Sequence, residues 1–158
     1  MRWRWGLLAA LVLLVTAGGA GAADTWTSDS DIVGGIGDVG DASTPTVFQN
    51  DSTWYLISGE FDGVFNGYNW TGSTWQSDSG LVSGLATIEY RPTPTVFQKD
   101  GTWYLISGRH DGTFNGYNWT GSTWQSDSGI VSGLATAEYQ TAPTAFQKDG
   151  TWYLISGN

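Results

Sequence analysis

The residue types in this chain leave few routes to chemistry, and the most suggestive grouping is aromatic. Asn66-Gly67-Tyr68-Asn69-Trp70 returns unchanged as Asn115-Gly116-Tyr117-Asn118-Trp119, each followed by Thr-Gly. An aromatic face with neighbouring amides suits a sugar ring, because the rings give its C–H side a platform while the amides give its hydroxyls donors and acceptors. Asn66, Tyr68, Trp70, Asn115, Tyr117 and Trp119 are therefore the candidate ligand-binding residues. Repetition would offer one weak site per unit and gain avidity when several bind at once. The plainer reading is that the Asn side chains satisfy backbone groups at a sheet edge and the rings simply pack.

No catalytic constellation stands beside this grouping. His110 is the single histidine, and the matching position one repeat earlier is Phe61, so it reads as a solvent-facing turn residue. With no cysteine and one histidine, the usual zinc ligand sets are out of reach, and no metal or cofactor is implied. Asp62 with Asp111, or Glu89 with Glu138, would supply paired carboxylates. However, acid and base roles need two environments, and these acids occupy the same place in each copy. Turn formation and surface solvation account for them more simply. Asn50-Asp51-Ser52, Asn69-Trp70-Thr71 and Asn118-Trp119-Thr120 match the N-glycosylation pattern, so Asn50, Asn69 and Asn118 are possible acceptors.

These residues sit inside a repeat. Residues 45–93 and 94–142 differ at ten of forty-nine positions, 143–158 start the unit a third time, and the segment from Trp26 aligns with those from Trp75 and Trp124. A period of this size marks a repeat architecture. Within the unit that opens at Pro94, Thr95–Gln98 reads as a short strand and Lys99-Asp100-Gly101 as a tight turn of positive φ. Thr102–Ser107, rich in aromatic and β-branched residues on both alternating sides, reads as a strand covered on both faces. Thr113–Trp119 and Ser122–Ser126 complete a four-stranded antiparallel meander, and the Ser/Gly/Ala-rich residues 127–142 lead to the next unit. Trp54, Trp103, Tyr55, Tyr104, Phe65 and Phe114, in the central strands, are expected to pack sheet on sheet.

The expected fold is all-β, built from β-propeller blades of about 49 residues. The string PTVFQKDGTWYLISG followed by DGTFNGYNW resembles blades of the FG-GAP/VCBS type. It is also similar to the blades of five-bladed glycosidase propellers and of tachylectin-like lectins. The FG-GAP resemblance would imply calcium where alternating Asp residues fill the first turn. Here only Asp51, Asp100 and Asp149 remain, so no calcium cage is expected. The glycosidase resemblance would imply an Asp near the start of the first strand, where this chain has Thr46, Thr95 and Thr144.

Residues 1–23, with Arg2 and Arg4 before an apolar run and a small-residue end at Ala20-Gly21-Ala22, read as a secretory signal. Residues 24–44 then supply an outer strand and linker of a partial blade, 45–93 and 94–142 two full blades, and 143–158 part of a third. That makes an incomplete ring of fewer than three blades, whereas closed rings have at least four. Three readings remain open. A second copy completes a dimeric ring of about six blades, the sequence is part of a longer propeller, or an open arc persists.

Removing the leader leaves four basic against fifteen acidic residues, a net −11. Such a surface disfavours nucleic acid and anionic lipid as partners, and a membrane enters only if the leader is retained. The expected role is that of a secreted or cell-surface, non-catalytic propeller that binds carbohydrate or another surface ligand in adhesion. The alternatives are a structural envelope or assembly module and a degenerate glycosidase-like propeller.

Overall fold

The computed structural model describes residues 11–12, 27–40, 42–137, 139 and 141–157. Apart from Leu11–Val12, the expected leader lies outside the described residues. The chain is all-β, and its strands are β1 (Leu11–Val12), β2 (Thr27–Ser28), β3 (Thr44–Asn50), β4 (Thr53–Gly59), β5 (Phe65–Trp70), β6 (Trp75–Ser77), β7 (Thr93–Lys99), β8 (Thr102–Gly108), β9 (Phe114–Trp119), β10 (Trp124–Ser126), β11 (Ala142–Lys148) and β12 (Thr151–Gly157). Strands β3–β6 and β7–β10 form two antiparallel four-stranded meanders, and β11–β12 form a two-stranded sheet. The short β1 pairs with β2, Leu11 opposite Ser28. Among the described residues no helix is long and apolar enough to cross a membrane.

Turn chemistry sets the register of each first hairpin. Asp100 and Gly101 both take positive φ, 51° and 79°, as do Asp149 and Gly150 at 51° and 77°. Two left-handed residues in succession match the right-handed twist of the strands they join. Lys99 consequently pairs with Thr102 and Phe97 with Tyr104, and the same register recurs one period earlier and later.

Strand alternation gives each sheet two apolar faces. In the first sheet, pairing puts Val47, Leu56, Tyr68, Trp70 and Trp75 on one face, and Phe48, Tyr55, Ile57 and Phe65 on the other. We call these the leading and trailing faces. The largest core cluster lies where the trailing face of the first sheet meets the leading face of the second, joining Ile57 and Phe65 to Leu105, Tyr117 and Trp124. Phe48 rests on Trp103 with ring centroids 5.0 Å apart, and one period later Phe97 rests on Trp152 at 4.8 Å. Tyr55, Phe65 and Trp103 thus pack sheet on sheet as their placement predicts, whereas Trp54, expected to do the same, is 45% exposed because no sheet among the described residues covers its face.

The linkers lock this stacking. After the first four-stranded sheet, Ser79–Val82 form a 3-10 turn whose N-cap, Asp78, accepts from the backbone N–H groups of Gly80 and Leu81. The Leu81 carbonyl then accepts the indole N–H of Trp124 at 2.7 Å, and the Ser83 carbonyl accepts the Trp124 backbone N–H at 2.8 Å. One period earlier the Ile32 carbonyl receives the Trp75 indole N–H at 2.8 Å. Each outer strand is therefore clamped by the turn that follows the preceding unit. At the other edge β3, β7 and β11 lie side by side, with the Thr44 hydroxyl donating to the Pro92 carbonyl and the Thr93 hydroxyl to the Thr141 carbonyl, at 2.7 and 2.5 Å. The sheets do not close on themselves.

Candidate functional site

The six residues singled out from sequence occupy equivalent places on β5 and β9. Tyr68 and Tyr117 are buried, at 7% and 3% exposure, so neither ring offers an open platform. Tyr68 lies with Val39, Leu56 and Trp75, and Tyr117 lies in the interface between the two four-stranded sheets. Burial pushes both phenols up from their ordinary value, helped at Tyr68 by the Glu60 carboxylate. Trp70 and Trp119 are half-buried and pack against Trp75 and Trp124, at 5.3 and 5.2 Å between centroids. Asn66 donates to the Glu60 carboxylate, and Asn115, the equivalent residue, is half-buried. Of the possible glycan acceptors, Asn50 is half-buried and accepts the Trp103 indole N–H at 3.2 Å through its side-chain oxygen. Asn69 and Asn118 face Gln76 and Gln125 across the last strand pair.

A different constellation forms where the turn after the second strand meets the linker after the fourth. Residues 60–64 and 109–113 make these turns, and Gly63 and Gly112 take positive φ, 91° and 83°. Any Cβ at Gly63 would overlap the Ile88 carbonyl, and at Gly112 that of Ala137, so glycine is what lets turn and linker touch. Backbone bonds from Ile88 N–H to the Gly63 carbonyl and from Ala137 N–H to the Gly112 carbonyl, both 3.0 Å, seal the contact. Asp62 and Asp111 build the turns themselves. Each accepts the backbone N–H two residues on, at 3.3 Å from Val64 and 3.0 Å from Thr113.

Docking turn on linker interleaves aromatic rings from successive units. Phe61 meets Tyr90 at 4.3 Å between centroids, Tyr90 meets His110 at 5.0 Å, and His110 meets Tyr139 at 4.3 Å, each near edge-on. Phe61 and His110 are one period apart, as are Tyr90 and Tyr139, so the row follows the repeat across the end of the stacked sheets. His110 is accordingly half-buried between two tyrosines, where the sequence suggested a solvent-facing turn residue. The reason is inter-sheet packing: the linker of its own unit and that of the unit before flank the turn.

An open hollow of about 410 Å³ lies along this row, lined by Glu89, Tyr90, Arg91, His110 and Tyr139. The Arg91 guanidinium sits 5.0 Å from the Phe61 ring centroid and 5.2 Å from that of Tyr90, within cation–π range. Its backbone takes positive φ, 45°, as Ala42 does one period earlier at 57°, because the chain bends here into the next sheet. The Nε atoms of Arg91 and Arg109 are buried without a hydrogen-bond partner among the described residues. Arg109 reaches Asp111 at 3.3 Å, and Asp111 is held below the ordinary carboxylate value first by its hydrogen bonds from Thr113, then by that guanidinium.

No family model, curated protein or solved structure matches this chain significantly. The geometry alone therefore carries the functional reading. The hollow sets the exposed Tyr139 ring beside one guanidinium, one carboxylate and one imidazole, groups that can stack on and hydrogen-bond a polar ring. The sequence pattern does not reveal it, because it sets His110 against its counterpart Phe61 and Glu89 against Glu138, and sets neither beside Tyr90 and Tyr139. The available signal was the recurrence of tyrosine at 90 and 139 beside aromatic rings at 61 and 110.

Proposed function

We propose that the protein is a secreted, non-catalytic carbohydrate-binding protein whose stacked sheets are β-propeller blades. Its glycan site is the hollow between Tyr90, Arg91, His110 and Tyr139. The observation that carries the reading is the interleaved row Phe61–Tyr90–His110–Tyr139, with polar groups of both charges beside it. Sugars are recognised by that pairing of ring faces with hydroxyl partners, and the shallow, open hollow sets both kinds of group side by side. The adjacent sheets with their first strands side by side support a blade arrangement, and the basic-then-apolar N-terminal segment supports export.

Glycan-array screening followed by calorimetric titration of the best hit tests the reading. Tyr139→Ala and His110→Ala should each weaken binding at least about tenfold, a loss near 1.4 kcal/mol. Trp70→Ala and Trp119→Ala, on the third strands, should leave affinity within about twofold if the fold is kept. Binding that is lost only in the tryptophan variants would move the site back to the third strands. A chain that binds no glycan at all would end the carbohydrate reading.

A further inference from the structure

Among the described residues two sheet faces are exposed, and they are the two halves of a contact that the chain already makes twice. The trailing face of β11–β12 exposes Phe146, Tyr153 and Ile155, the last at 62%. Its equivalents one period back, Phe97, Tyr104 and Ile106, lie beneath β11–β12, where Phe97 meets Trp152. At the opposite end, the leading face of the first sheet exposes Val47 and Trp54, the latter at 45%. Their equivalents, Val96 and Trp103, are partly buried on the core cluster against Phe48 and Tyr55.

The exposed strip on the first sheet lies over its first two strands. On the first sheet, Ile36 and Val39 already cover the region around Tyr68 and Trp75, as Leu85 and Ile88 do in the next unit. What stays open is the strip over β3 and β4, the strip that an inner two-stranded hairpin covers inside the chain. β11–β12, which carries the complementary exposed face, pairs in the same register as β3–β4 and β7–β8. Its face has the side-chain pattern of the hairpins that do the covering: phenylalanine opposite tyrosine, with isoleucine two residues on.

We propose that a second copy of this chain docks head-to-tail, with the Phe146/Tyr153/Ile155 face of one copy seated on the Val47/Trp54 face of the next. The two surfaces differ, so the interface is heterologous, and successive copies form a ring or extend, depending on the rotation between them. This association does not depend on the glycan reading.

Light scattering and analytical centrifugation of the full chain, alone and as two variants, test the proposal. Wild type should show masses at multiples of the chain in the micromolar range, as expected of a contact worth about 8 kcal/mol. Trp54→Asp and Ile155→Asp each spoil one face at an exposed position, and each alone should weaken association at least about tenfold. Mixed in equal amounts, they should form a 1:1 pair, because each keeps the face the other has lost. A monomeric wild type overturns the proposal, as does association that survives both substitutions. Dissociated variants that fail to complement when mixed also overturn it, since they would mean that a face binds its own kind. Tryptophan fluorescence checks folding, and Val47→Lys with Tyr153→Lys repeats the mixing should either aspartate variant misfold.

Discussion

One isoleucine position occurs three times in three environments, which gives the stacking an internal control. Ile57 and Ile106 are 0% and 3% exposed inside sheet-to-sheet interfaces, while Ile155 is 62% exposed on the open face. Truncating a buried isoleucine to alanine removes its transfer energy and leaves a cavity, together about 2–5 kcal/mol. Truncating an exposed one costs about 0.5 kcal/mol or less. With a urea m-value of about 2 kcal/mol/M, a 3 kcal/mol loss moves the unfolding midpoint by about 1.5 M. Urea titration followed by tryptophan fluorescence, at a concentration where wild type is monomeric, should therefore shift Ile57→Ala and Ile106→Ala strongly. Ile155→Ala should barely move. Raising the concentration into the associating range should then give Ile155→Ala a deficit of its own. Equal shifts for all three variants in dilute solution would refute the stacking order, since they would require Ile155 to be as covered as its two counterparts.

Three further outcomes follow from the linkers and the core. Trp124→Phe removes the N–H that satisfies the Leu81 carbonyl and shrinks a ring 3% exposed, so it should destabilise by about 2–4 kcal/mol in denaturant titration. Asp78→Ala deletes the cap that serves Gly80 and Leu81 and should cost about 1 kcal/mol by the same assay. Tyr117 has a folded-state pKa raised above 10.0, so the native state holds its proton more tightly than the unfolded chain. Its contribution is complete below about pH 10 and is lost as pH rises toward the folded value, and Tyr117→Phe should flatten the alkaline fall in stability measured from pH 9 to 12.

Much of the local architecture was legible from sequence. Asp100-Gly101 announced a turn of positive φ, and β7 and β8 flank it in the expected antiparallel pairing. Dense aromatics on both sides of Thr102–Ser107 announced a strand buried on two faces, and Leu105 and Ile106 are buried on opposite sides of β8. The strand ends were harder to place. Ser122 and Thr123 read as strand, but the Thr120 hydroxyl accepts the Thr123 N–H and holds them in the turn before β10. The Ser/Gly/Ala-rich residues 127–142 read as plain linker, and they do run through turns, but in the equivalent connection one period earlier the Asp78 cap forms a 3-10 segment over Ser79–Val82.

The candidate sites separate along the same line. Tyr68 and Trp70 looked available because an aromatic–amide string suits a ligand and suits a core equally well, and the stacking partner decides between the two. Tyr68 faces Val39 and Tyr117 faces the neighbouring sheet, which no residue of the string itself can signal.

By itself, the sequence determined the forty-nine-residue unit, its four strands and the hairpin register, because turn residues and alternation act over a few positions along one strand pair. The order of stacking, the clamp of Trp124 on Leu81 and the row from Phe61 through Tyr90 and His110 to Tyr139 came only with the tertiary structure. Those contacts join turns and linkers twenty or more residues apart. They form only after whole sheets have come together, when burial of the broad apolar faces sets which edges meet.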